Sequence, residues 1–237
     1  MANGLDGVVA AETVLSHTDR TGGMVWVRGY DLPALAANHG FEGTVALLWE
    51  GFAGEGLTRA GTIAAFGAAR GAAFADLPAW LPQTRGRTLF EGMRIAIAAA
   101  PDSADATSLV AAFAVAVPAL ARQAAGLPPV APDPWLTTAA DLLRMLHGTE
   151  PDGAKVAALD TYFTVMAESG LSASSFAARV VASTRATRRR LCWRRGAHLP
   201  APCMAVRPAR PWTCWTKPNA RPIWMRGLKP GCGRGSG

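Results

Sequence analysis

Leu159-Asp160-Thr161-Tyr162-Phe163-Thr164-Val165-Met166-Ala167-Glu168-Ser169-Gly170-Leu171-Ser172, running on as Ala173-Ser174-Ser175-Phe176-Ala177-Ala178-Arg179-Val180-Val181-Ala182-Ser183-Thr184, decides the reading of the fold. From residue 152 onward Val156, Leu159, Tyr162, Phe163 and Met166 recur at steps of three and four. That is the spacing of one face of an α-helix, so a helix with this face buried is expected. Gly170 breaks the pattern, and a second segment rich in Ala, Phe and Val continues to Thr184. Two helical stretches therefore flank a Glu168-Ser169-Gly170 turn.

Working outward, further helical stretches are expected at about 56–71, 87–100, 104–125 and 134–147, each bounded by Gly, Pro or Asp. Asp31-Leu32-Pro33 places an N-cap acid before a Pro permitted in a first helical turn, and Asn38-His39-Gly40 supplies a stop, so a short helix lies between. Phe41 to Phe52 reads as another helix. Only near the start do β-branched apolar runs occur, at Val8–Ala10 and Met24–Arg28, separated by a polar stretch ending in Gly22-Gly23. They predict a small N-terminal β-hairpin on an otherwise mainly α fold.

The longest apolar run, Leu109 to Ala121, is interrupted by Pro118 and closed by Arg122. It falls short of the roughly 20 residues that span a bilayer, so a buried core helix is expected and no membrane partner. Met1-Ala2-Asn3-Gly4-Leu5-Asp6 has no basic region leading into an apolar one, which argues against a standard secretion signal and for a cytoplasmic protein.

Charge divides the chain sharply. Residues 185–237 hold 13 Lys or Arg and no Asp or Glu, whereas residues 1–184 hold 11 basic and 17 acidic side chains. All four cysteines (Cys192, Cys203, Cys214, Cys232) and four of the eight Trp also lie in the tail. A boundary at 184/185 follows. With five Leu, Ile, Val or Phe in 53 residues, the tail buries too little apolar surface to offset the entropy of ordering, and disorder is expected. Its cysteines lack any C-x2-C pair, so no metal site is expected. Its arginines and tryptophans would attract polyanions without specificity, so no specific nucleic-acid partner is expected.

Four stretches of residues 4–184 resemble citrate synthases and 2-methylcitrate synthases. Gly4-Leu5-Asp6-Gly7-Val8-Val9-Ala10-Ala11-Glu12-Thr13 resembles the family's opening strand, and Arg28-Gly29-Tyr30-Asp31 with Leu35-Ala36 resembles its "RGYDxxxLA" segment. Leu47-Leu48-Trp49-Glu50-Gly51 resembles the helix end that follows, and Ala173 to Thr184 is close to the family's "ASTFAARVVAST". The resemblance implies a mainly helical enzyme of a large and a small domain, working as a homodimer, with residues 1–184 forming the N-terminal part of the large domain. It implies a Claisen-type condensation: the methyl group of an acyl-CoA loses a proton to a carboxylate, and the resulting enol attacks the ketone of oxaloacetate. Histidines meet the negative charge developing on the two carbonyl oxygens, and the product thioester is hydrolysed. Oxaloacetate and acetyl-CoA or propionyl-CoA are the implied substrates, with no cofactor beyond them.

Two departures bear on activity. Before "ASTFAARVVAST" the family carries a His that hydrogen-bonds oxaloacetate; here Ser169 occupies that position, and the family's following Asn is Ser172. A Ser donates one hydrogen bond and carries no charge near neutral pH, though a Ser in a helix-breaking turn also needs no ligand to explain it. After Thr184 the family continues into "GPLHGGA" with a catalytic His, then "GHR" and the catalytic Asp; the written tail contains none of these, and His198 stands alone. No catalytic residue is therefore assigned in the chain as written.

The tail itself preserves traces of that segment in another frame. Met is encoded only by ATG and Trp only by TGG, so joining the last base of one codon to the first two of the next forces several residues. Met204-Ala205 must give Gly, and Cys203-Met204 must give His or Tyr. With G- or C-ending codons, Ala201 through Arg207 reads Pro-Leu-His-Gly-Gly-Ala. Downstream, Trp212-Thr213, Cys214-Trp215 and Trp215-Thr216 force Asp, Leu and Asp. One base missing shortly after the codon for Thr184 accounts for all of this, and the expected product is a truncated, inactive synthase. The alternative is a non-catalytic paralogue that pairs with a complete subunit.

Overall fold

The computed structural model describes residues 12–19, 21–101, 104–168, 170 and 172–183. Among the described residues the first elements form a three-stranded antiparallel sheet of β1 (Ser16–Asp19), β2 (Met24–Val27) and β3 (Tyr30–Asp31), in that order. His17 pairs with Trp26 and Thr18 with Val25, while Val27 pairs with Tyr30. Helices follow: α1 (Leu32–Asn38), α2 (Gly40–Trp49), α3 (Arg59–Ala75) and α4 (Leu77–Trp80), then a 3-10 helix at Leu81–Thr84. The remainder is α5 (Leu89–Ala99), α6 (Ala106–Ala124), α7 (Thr138–His147), α8 (Gly153–Met166) and α9 (Ala173–Ser183). The mainly α fold with a small N-terminal sheet is the one expected.

The helix starts obey local chemistry. Asp31 Oδ1 accepts the Ala34 N–H at 2.6 Å, with Pro33 in the first turn where its missing N–H costs nothing. Thr58 caps α3, Asp105 caps α6, Thr137 caps α7 and Asp152 caps α8. Thr88 and Glu91 form a reciprocal capping box on α5. At the far end of α7, Gly148 takes φ 77°, the left-handed conformation that closes a helix at little cost to Gly.

Two expectations need correction. The strand that pairs with β2 is Ser16–Asp19, inside the stretch read as a polar loop; Val8–Ala10 lies outside the described residues. The reason is position: β1 is an edge strand, where polar His17 and Thr18 are tolerated and no apolar alternation marks the strand. The apolar face expected to be buried on α8 is also only half covered. Tyr162 and Met166 are 57% and 56% exposed, and Thr164 is the helix's one fully buried residue. Apolar side chains surround most of α8, so periodicity identifies a helix without saying which side its neighbours cover.

One core lies where α4, the 3-10 helix, α5, α6 and α7 meet, built on Leu77, Trp80, Val115, Leu120 and Met145. α6 runs through it, packed by α3, α5 and α7. It is long and apolar enough to cross a membrane, yet most of its length is buried within the protein. Gly92 explains how closely α5 approaches: a Cβ there would stand 2.6 Å from Leu120 Cδ2. A second cluster of Val27, Leu35 and Leu48 joins the sheet to α1 and α2, with Ala167 against it.

Polar contacts inside this framework fix α7. The Arg70 side chain is wholly buried; its Nε donates to Asp141 Oδ2 at 2.8 Å and its Nη2 to the carbonyls of Leu136 (2.8 Å) and Asp133 (3.1 Å). Asp141 Oδ1 accepts the Asp133 N–H at 3.0 Å and Arg144 Nη2 at 2.8 Å. Breaking a buried pair by removing one partner strands the other's charge. Arg70→Ala should therefore lower unfolding free energy by about 3–5 kcal/mol. Urea denaturation checks this; a loss under about 1 kcal/mol would show the pair to be dispensable.

Candidate functional site

α8 delivers the chain to the turn that the sequence singles out. Ala167 is held in the cluster beneath the sheet, and Glu168 follows it. Glu168 Oε1 accepts two hydrogen bonds, from Ser16 Oγ at 3.1 Å and from the Gly170 N–H at 2.7 Å. Gly170 takes φ 61°, and a Cβ there would come 3.8 Å from Ser16 Oγ. The left-handed backbone, rather than lack of room, makes Gly the suitable residue. One carboxylate thus folds the turn back on itself and ties it to β1, 152 residues earlier.

Beyond the turn, Ser172 caps α9. Its Oγ accepts the Ser175 N–H at 3.4 Å and donates to Ser175 Oγ at 3.0 Å, with Ser174 Oγ 3.3 Å away. Arg179, two turns along α9, donates to Thr13 Oγ1 at 3.4 Å. The segment leading into β1 therefore meets both the turn, through Ser16, and α9, through Thr13. The turn, β1 and α9 are thereby tied together by hydroxyls, one carboxylate and one guanidinium.

Ser169, the residue in the expected substrate-binding position, lies outside the described residues, as do Leu171 and the tail from 184 onward. Of its neighbours, Glu168 accepts the Gly170 N–H and Ser172 caps α9. Two other motif residues, Arg28 and Glu50, hold nearby backbone in place. Arg28, at φ 50°, donates to the carbonyls of Leu47 (3.3 Å) and Glu50 (3.0 Å) and lies over the Phe52 ring, closing the end of α2. The Glu50 carboxyl is held below its ordinary value by the N–H groups of Leu57 and Gly56, each at 2.8 Å. Sequence reasoning missed Ser16, Glu168 and Arg179; no local pattern links residues so far apart.

Among the described residues no group of three or more His, Cys, Asp or Glu is placed to hold a metal. His147, on α7, is kept below the ordinary imidazole value by burial and by the positive charges of Lys155 and Arg122. A cleft of about 500 Å³ between α3, α5 and α6 is lined mainly by Ala, with Trp80 and Asp76; none of its lining residues belongs to the turn.

The sequence profile of the family "Citrate synthase, C-terminal domain" matches residues 4–188. The chain is 33% identical over 199 residues to a 2-methylcitrate synthase of Mycobacterium tuberculosis, a match covering 77% of this chain and 49% of that protein. To the citrate synthase of Haloferax volcanii it is 32% identical over 208 residues, covering 78% and 53%. The crystal structure of citrate synthase from Pyrobaculum aerophilum superposes with a TM-score of 0.72 at 25% identity, covering 82% of this chain and 54% of that one. Citrate synthase from Thermotoga maritima shares the fold, with a TM-score of 0.69 at 22% identity. The chain belongs to the citrate synthase family. It spans about half the length of the curated relatives it matches.

The Ser16–Glu168 contact makes a local prediction. Ser16→Ala removes one of the two hydrogen bonds organising Glu168, a loss of about 1 kcal/mol of local stability. Exchange of the Gly170 amide hydrogen should then quicken about fivefold, with α3 and α6 unchanged. Unaltered exchange at Gly170 would mean that β1 does not anchor the turn.

Proposed function

We propose that residues 1–184 are the N-terminal portion of a synthase that condenses acetyl-CoA or propionyl-CoA with oxaloacetate, and that the chain as written does not complete the reaction. The observation carrying this is the match of residues 4–188 to the family, in a chain whose tail lacks the family's catalytic His and Asp; the anchoring of Glu168 and Gly170 to β1 supports a binding role for the turn. In this reading residues 185–237 are translated out of frame, and the forced Gly at Met204-Ala205 and the forced Asp-x-Leu-Asp support it.

The proposed division of labour is as follows. The hydroxyl of Ser169 would donate to an oxaloacetate oxygen where a His donates in the family, and Glu168 would hold the turn in position. Proton removal from the acyl-CoA methyl group needs a carboxylate, and polarising the thioester carbonyl needs a His; both belong to the segment following Thr184. A serine makes a shorter-reaching, uncharged contact, so oxaloacetate binding would be weaker by on the order of 1–2 kcal/mol than with a charged donor. A homodimer is the assembly this reading implies.

Ser169 and Ser172 also suit a non-catalytic paralogue that pairs with a complete synthase. Purified as written, the chain should release no free CoA from acetyl-CoA and oxaloacetate above a no-enzyme control, followed by thiol titration. An oxaloacetate-dependent rate would contradict the proposal, and stoichiometric co-purification with a full-length synthase would favour the paralogue.

A further inference from the structure

Four prolines stand around a second cleft, of about 690 Å³, between the α3–α4 corner and the segment that leaves α6. Pro78 and Pro82 belong to α4 and the 3-10 helix, Pro128 and Pro129 to the segment. A proline has no N–H to offer, so these parts of the wall carry no backbone donor. Leu77, Leu81 and Leu127 complete an apolar surface between them. The volume falls within the roughly 300–1,000 Å³ typical of small-molecule sites.

Both walls are held from behind. Arg122 Nε donates to the Pro128 carbonyl at 2.6 Å and its Nη1 to that of Leu146 at 3.2 Å, while the Leu127 N–H donates to the Arg122 carbonyl at 2.8 Å. Opposite, Gln123 Nε2 donates to the Leu81 carbonyl at 2.9 Å and its Oε1 accepts from Thr84 Oγ1 at 2.7 Å, so this amide is committed to the wall. Arg85 is not committed: it lines the cleft, is exposed, and makes no hydrogen bond or ion pair with any described residue. It also lines a neighbouring cleft of about 580 Å³ together with Arg87 and Thr88. No acidic residue lines either cleft, and the Glu91 carboxylate nearby is engaged by the Thr88 N–H and hydroxyl.

We propose that this cleft binds an amphipathic carboxylate, with an unbranched apolar body against Leu77, Leu81 and Leu127 and its charged end on Arg85. A polar body would leave its own groups unpaired against a wall without donors. A guanidinium pairs with a carboxylate through two parallel hydrogen bonds, so the free Arg85 selects the sign and shape of the ligand's end. Walls fixed before binding need little further ordering, which favours a small ligand. None of the lining residues belongs to the Glu168 turn, so the site stands whether or not the chain takes part in a condensation.

Calorimetric titration of the full chain with straight-chain carboxylates tests this. Affinity should rise about three- to fourfold per added methylene from hexanoate to decanoate. Octanol should bind about tenfold more weakly than octanoate, for want of the charge. Arg85→Gln should bring octanoate down to the affinity of octanol and leave octanol unchanged; since Arg85 is exposed and unbonded, the variant keeps the fold. Leu127→Asp should abolish binding of both, and Arg85→Gln carries the test alone if that variant does not fold. The 13 Lys and Arg of the tail attract any anion. Octanoate binding that survives Arg85→Gln, or that ignores chain length, would therefore belong to the tail and overturn the site, as would equal affinity for octanol or no binding of octanoate.

Discussion

A fully buried guanidinium cannot exist without partners, and Arg70 determines where much of the chain must go. Its donors are taken up by the Asp141 carboxylate, by Thr138 and by the carbonyls of Asp133 and Leu136. An irregular segment is thereby pressed against α3 so tightly that a Cβ on Gly67 would run into the Pro134 carbonyl oxygen. The cost of desolvating Arg70 is offset only while every one of these partners stays in place, which makes the arrangement all-or-none.

From that pair a series of polar contacts leads to the candidate site. α7, fixed by Asp141, offers the Thr138 N–H to Glu42 on α2. α2 offers the Phe41 N–H to Asp160 on α8, and Phe41 packs on Phe163 with ring centroids 5.4 Å apart. Two residues past the end of α8, the Glu168 carboxylate accepts a hydrogen bond from Ser16 of β1. Each contact joins elements distant in sequence, so the turn is positioned by the whole helical framework rather than by its own residues. Placement on rigid helices is what the role proposed for this turn would require.

Much of the framework was legible because helix ends are decided locally. Asp31-Leu32-Pro33 marks the start of α1 through chemistry confined to four residues, and apolar spacing marks α5, α6 and α7. The 3-10 helix at Leu81–Thr84 and the four-residue α4 were not legible, since each is shorter than one repeat of a readable pattern. β1 was missed because an edge strand need not alternate. The turn at Gly170 could be read from Gly alone, but Ser16 could not be paired with Glu168 by any rule of spacing. Family resemblance placed the site at Ser169; only the folded chain shows what anchors its neighbours.

We propose that the helical body belongs with a continuation that the written tail carries out of frame. Restoring one base just after the codon for Thr184 and characterising the product by light scattering and CoA release tests it most directly. The expected result is an open frame running well past the present stop, carrying the family's later His, Asp and Arg groups, and a dimer whose oxaloacetate binding tightens on Ser169→His. A stop within a few codons, or a frame without those groups, would contradict it and make the basic tail the protein's own.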